Sequence, residues 1–130
     1  MNILITGSEG FIGLALVKFL ISELGDKDKI FCMIRKTQKS SALPISDKIK
    51  ILHHDLLNSN LPELPSSIEV IIHLAGINKT FLSSNDGRKQ LLDNIIATSN
   101  VLEIAERTKA KKLIFASSVY VYSGIKCIRK

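Results

Sequence analysis

Apolar and polar positions run along the chain in blocks, and their period changes from block to block. Residues 2–6 form a short, almost unbroken apolar run, and similar runs recur near 30–34, 49–54, 69–74 and 112–117. Short runs rich in Ile, Val and Leu predict the strands of a parallel sheet. Between them, residues 11–24 place apolar side chains at 12, 16, 19, 20 and 24, and residues 86–108 at 91, 92, 95, 96, 101, 102 and 105. That spacing predicts two helices, each burying one face. The polar stretch 36–48, with Pro44, predicts a loop; the stretch 56–67, with Pro62 and Pro65, predicts a crossing of the sheet face without a long helix. Such alternation predicts an α/β fold with a doubly wound parallel sheet, strand order 3-2-1-4-5, and any ligand at the carboxyl ends of the strands.

The first strand and first helix meet at TGSEGFIG, residues 6–13, which sets Gly7, Gly10 and Gly13 between them. Gly7 lets the chain turn sharply, Gly10 lets the backbone approach a pyrophosphate, and Gly13 lets the helix pack closely. The helix then turns its unpaired N–H groups toward the anion. A glycine triplet alone is a weak signal, and a ligand-free turn is the plain alternative; the flanking strand and helix favour the dinucleotide cradle.

Composition narrows the class. A chain of 130 residues predicts one domain, small for an enzyme that must hold both a dinucleotide and a second substrate. With 45% hydrophobic and 23% charged residues it has ordinary globular character. No apolar run is long enough to span a bilayer and no secretory signal is visible, so a cytoplasmic protein is expected. Cys32 and Cys127 support neither a disulfide framework nor a metal cluster. The net charge of +6 is dispersed over helix ends and turns, which predicts solvated surface rather than a nucleic-acid stripe.

Five segments together resemble the extended short-chain dehydrogenase/reductases, the family of NAD-dependent nucleotide-sugar epimerases and dehydratases. They are TGSEGFIG at 6–13, HDL at 54–56, HLAG at 73–76, DNIIATSNVL at 93–102 and FASSVYVYS at 115–123. The resemblance implies a Rossmann-type domain over residues 1–123, truncated after the fifth strand, with a short basic tail over 124–130. It also implies cofactor contacts from Gly7, Gly10, Phe11, Ile12 and Gly13 in the turn, from Asp55 and Leu56 at the adenine, and from Leu74, Ala75 and Gly76 after the fourth strand. Asn94 and Ser117 complete that set, and Ser118 is the implied hydroxyl for the substrate's reacting oxygen. His73 is expected to pack at a strand end rather than to catalyse.

The second strand, IFCMIRK, ends in no acid; Arg35 and Lys36 follow it. A carboxylate there binds a free ribose 2′-hydroxyl and an arginine attracts a 2′-phosphate, so NADP is favoured slightly over NAD. Asp26 and Asp28 precede the strand and read as turn residues. Family chemistry also needs a Tyr–Lys acid/base pair beyond SSxxVYG. Tyr122 and Lys126 have the YxxxK spacing, but Ser123-Gly124 breaks a helix there, so the pair is read as absent. The resulting expectation is an NAD(P)-binding unit that does not turn over alone and that self-associates through exposed apolar sheet surface. A nucleotide-sugar substrate is implied only for a complete enzyme. A non-catalytic scaffolding module and part of an NADP-dependent carbonyl reductase are the alternatives.

Overall fold

The computed structural model describes residues 1–35, 42–77 and 86–118; Lys36, Tyr122, Lys126 and the tail 124–130 lie outside them. The elements are β1 (Asn2–Thr6), α1 (Phe11–Glu23), β2 (Lys29–Ile34), β3 (Ile49–His53), β4 (Val70–His73), α2 (Asp86–Arg107) and β5 (Lys112–Phe115). All five strands are parallel, in the order β3-β2-β1-β4-β5. This is the doubly wound sheet expected from the pattern of apolar runs.

Period-two alternation divides the core into two layers. Ile3 and Ile5 of β1, Ile30, Cys32 and Ile34 of β2, and Ile72 of β4 face α1 and pack around Val17. Leu4, Met33 and Ile71 face the other way and meet Ala97, Val101 and Ile104 of α2. β1 is central and its Ile3, Leu4 and Ile5 are all buried, which explains why its run is apolar on both faces. Residues 56–67 form no helix or strand, and Leu56, Leu61 and Leu64 lie against the α2 layer as a sheet-face crossing should.

The helices bury only part of the apolar set that the spacing picks out: positions 16, 20 and 24 pack on the α1 side of the core and 101 and 105 on the α2 side, while the others are exposed. In α1 the buried residues are Gly13 and Val17, while Ile12 and Phe19 are exposed. In α2, Leu91, Leu92, Ile95, Ile96 and Leu102 are exposed, and the smaller Ala97, with Val101 and Ile104, faces the sheet. Each helix has two apolar flanks, and the one with a glycine or alanine at its centre is the one that reaches the sheet closely.

Residues distant in sequence complete the helix ends. The 25–28 turn closes through Asp28 N–H to the Gly25 carbonyl at 3.1 Å and Gly25 N–H to the Asp28 carboxylate at 3.0 Å, in keeping with the turn role expected of Asp28. No basic residue lies in the last turn of α1, but Lys48 Nζ donates to the carbonyls of Ile21 at 2.9 Å and Leu24 at 2.6 Å. Its charge therefore sits at the negative end of the helix dipole. Replacing Lys48 with Met is expected to lower the unfolding free energy by about 1–2 kcal/mol; an unchanged urea midpoint would contradict this role.

Candidate functional site

The chain leaves β1, builds outward through β2 and β3, and then returns to the other side of β1 as β4, so the winding along the sheet reverses between β1 and β4. A reversal of this kind opens a crevice above the strand ends. Here the crevice has a volume of about 340 Å³. Its walls come from Gly7–Gly10 after β1, Arg35 after β2, His54–Leu57 after β3, residues 74–77 after β4, and Asp93, Asn94 and Ala97 of α2.

The floor is set by backbone contact. Gly7 has φ +72°, and a Cβ on it would lie 2.7 Å from the Ala75 nitrogen. A Cβ on Gly13 would lie 2.1 Å from the Gly7 carbonyl oxygen, so α1 rests directly on the turn. Gly10 N–H donates to the Gly7 carbonyl at 3.0 Å, and the first helical bond runs from Leu14 N–H to the Gly10 carbonyl at 2.8 Å. Gly10 is the helix cap and offers no side chain; no acidic residue occupies the first turn. The first-turn amides have no helical partner by geometry, and such an end suits an anion.

Buried side-chain networks hold the loops around this floor. Ala75 N–H donates to Thr6 Oγ1 at 3.3 Å, and Thr6 Oγ1 lies 2.6 Å from His73 Nδ1. On the other ring edge His73 Nε2 lies 3.3 Å from Thr98 Oγ1, which donates to the Asn94 carbonyl at 2.8 Å. These roles assign the Thr6 proton to Nδ1 and place the ring proton on Nε2, so the neutral imidazole satisfies every partner. Asn94 then grips Ile77 twice, accepting its N–H at 2.8 Å and donating to its carbonyl at 3.1 Å. Asn100 donates to the carbonyls of Leu56 at 2.7 Å and Asn58 at 3.1 Å, fixing the loop after β3. Within that loop Asp55 Oδ1 accepts Leu57 N–H at 3.0 Å. His73 is thus a buried tie between β1, β4 and α2, as its expected packing role requires.

Of the residues singled out from sequence, Gly7, Gly10, Arg35, Asp55, Leu56, Leu74, Ala75, Gly76 and Asn94 are brought together around the crevice. Phe11, Ile12, Gly13, Ser117 and Ser118 do not line it. Phe11 is 97% exposed, Gly13 is buried against the turn, and Ser117 and Ser118 lie exposed beyond the end of β5. Residues that the pattern did not flag also belong to the walls. Among the described residues Ser8 Oγ, Glu9 Oε2 and His54 Nε2 are buried there without a well-formed hydrogen bond, although Ser8 faces the Cys32 thiol and the His54 ring meets the backbone of Asn58. Buried polar atoms left unpaired on a concave wall fit a polar ligand that supplies their partners. Burial pushes the Cys32 thiol up to about 11, so it is inert at neutral pH. Among the described residues no three His, Cys, Asp or Glu side chains are grouped as metal ligands, and no helix is long and apolar enough to cross a membrane.

Burial lowers the pKa of His73 below the ordinary 6.5, and burial also lowers that of His54 against the opposing charge of Asp55. The unfolded chain therefore takes up protons first as pH falls, so the stability these residues confer is complete above 6.5 and lost below it. The thermal midpoint is expected to drop between about pH 7 and about pH 5, with a shallower slope in His73→Gln. A midpoint that rises or stays level over this interval in the parent chain would contradict the assignment.

The profile of the NAD dependent epimerase/dehydratase family matches residues 3–126. The chain is similar to UDP-glucose 4-epimerase of Pisum sativum, at 28% identity over 93% of this chain and 37% of that protein. It is similar also to an uncharacterized UDP-glucose epimerase of Bacillus subtilis, YtcB, at 31% identity over 94% of this chain and 41% of that protein. Among solved structures, UDP-glucuronic acid 4-epimerase from Bacillus cereus in complex with NAD matches with a TM-score of 0.75 and 28% identity, over 95% of this chain and 42% of that one. The chain thus spans 37% to 42% of the length of these proteins.

Proposed function

The chain belongs to the NAD dependent epimerase/dehydratase family, and from that premise we propose that it binds a nicotinamide dinucleotide in the crevice above β1 and β4. The observation that carries this is the uncapped start of α1, set over a glycine turn so tight that a Cβ at Gly7 or Gly13 would strike backbone. The pyrophosphate would take the first-turn amides, Asp55 would meet the adenine amino group, and Leu74–Gly76 would line the path of the ribose and phosphates. Asn94 acts by fixing the loop after β4. When bound, the nicotinamide supplies hydride exchange with a carbon of the substrate.

On β2 alone the phosphorylated cofactor has the better partner, because Arg35 ends the strand where an acid would otherwise stand. Ser117 would flank the nicotinamide. Ser118 would hydrogen-bond the reacting oxygen of a nucleotide-sugar in the whole enzyme, by the similarity to the UDP-sugar epimerases. Tyr120 and Tyr122, the two tyrosines of the chain, lie outside the described residues. Binding without turnover is the behaviour proposed for these 130 residues by themselves, in the cytoplasm.

Gly10→Ala disturbs the turn least of the three glycine changes, since the added Cβ would have one close neighbour, the Gly7 carbonyl oxygen at 3.1 Å. Its thermal midpoint is expected to change little while affinity for the dinucleotide falls by roughly tenfold or more, through lost backbone approach to the phosphates. Equal affinity in the two proteins by calorimetry would count against the cradle.

A second copy of the chain is proposed to cover the exposed apolar sheet surface at β5, where Leu113, Ile114 and Phe115 are exposed, together with the apolar flank of α2 formed by Leu91, Leu92, Ile95, Ile96 and Leu102. Light scattering is expected to report a dimer that Ile95→Glu converts to monomer; a monodisperse parent monomer would refute it.

A further inference from the structure

The acid that β2 lacks is present in the crevice on another element. Glu9 stands in the glycine turn, between Ser8 and Gly10, and lines the same crevice as Arg35. Its Oε1 accepts the N–H of Ala42 at 3.2 Å, which draws the side chain toward the segment that follows β2 rather than along α1. Its charge also lies close enough to Cys32, in the middle of β2, to help raise that thiol's pKa. Its Oε2 is buried and has no hydrogen-bond partner among the described residues. No ion pair joins Glu9 to Arg35 among the described residues, so neither charge neutralises the other by direct contact.

In a crevice of this topology the adenosine ribose lies between the glycine turn and the end of the second strand, where a carboxylate accepts from a free 2′-hydroxyl and repels a 2′-phosphate. An acceptor held in place at one oxygen and unpaired at the other meets that requirement from the turn side. We propose that Glu9 is a specificity-determining residue: Oε2 accepts a hydrogen bond from the adenosine ribose, its charge opposes a 2′-phosphate that Arg35 alone would attract, and the chain takes NAD in preference to NADP. The expectation drawn from β2 alone is thereby reversed. This inference rests on the crevice being a dinucleotide site.

Calorimetric titration of the 130-residue chain with NAD and with NADP tests it, using the parent, Glu9→Gln and Arg35→Ala. The glutamine keeps an oxygen for the Ala42 N–H, so an unchanged thermal midpoint confirms an intact fold. The parent is expected to bind NAD more tightly. In Glu9→Gln the ratio of NADP to NAD affinity should rise by about tenfold or more, the size of effect produced by like charges a few Å apart near a protein surface, and in Arg35→Ala it should fall. A parent that prefers NADP, or a ratio unchanged by Glu9→Gln, overturns the role of Glu9 and leaves the dinucleotide site standing. A parent that binds neither cofactor overturns the site and the inference together. The parent's own preference decides the matter if the variant does not fold.

Discussion

The closeness of three backbone segments governs this molecule. The Gly7 turn, the segment after β4 and the first turn of α1 approach so nearly that no side chain fits between them, at Gly7 against Ala75 or at Gly13 against the Gly7 oxygen. This contact fixes the direction in which α1 leaves the sheet, and hence where its unpaired amides lie. It also brings the loop after β4 beside the turn, which makes a crevice of the reversal between β1 and β4. A single methyl group at either glycine would wedge the segments apart and widen the crevice.

Hydrogen bonds from buried side chains extend that constraint to the other walls. The chain of contacts from Ala75 through Thr6, His73 and Thr98 to Asn94 joins β1, β4 and α2 through one neutral imidazole. Asn94 and Asn100 then use their amides to complete the backbone of two loops that have no strand partner. Loops held at buried backbone positions are pre-shaped, so little ordering free energy is lost when a ligand arrives. His54 and Asp55 stand beside the loop that Asn100 fixes, and Glu9 and Arg35 line the same crevice.

The strands, their order and the glycine turn were legible in the sequence because each follows from local rules. Apolar runs of strand length separated by helical periods admit few arrangements, and TGSEGFIG demands its glycines within eight residues. The inward faces of the helices were less legible. In α2 the larger side chains at 91, 92, 95, 96 and 102 form the more prominent stripe, yet the helix presents Ala97, Val101 and Ile104 to the sheet, because Asn94 and Thr98 tie it there. Periodicity reports that a face is apolar, not which apolar face wins. Glu9, His54, Asn100 and Lys48 escaped notice for a related reason: each matters through a partner or wall distant in sequence, and no local spacing announces it. Arg35 stood out because it follows β2, whereas Glu9 lines the same crevice from the turn after β1.

The central claim is that the turn after β1 and the start of α1 present their amides to a dinucleotide. Backbone amide NMR of the isotopically labelled chain, titrated with NAD, reads those groups directly. Saturable shifts concentrated at Gly7–Gly13, with further changes at Asp55–Leu57 and Leu74–Gly76 and none along Ile49–Leu52, are the predicted outcome. Saturable shifts that leave Gly10 to Gly13 in place, or a spectrum unmoved at millimolar NAD, would contradict it.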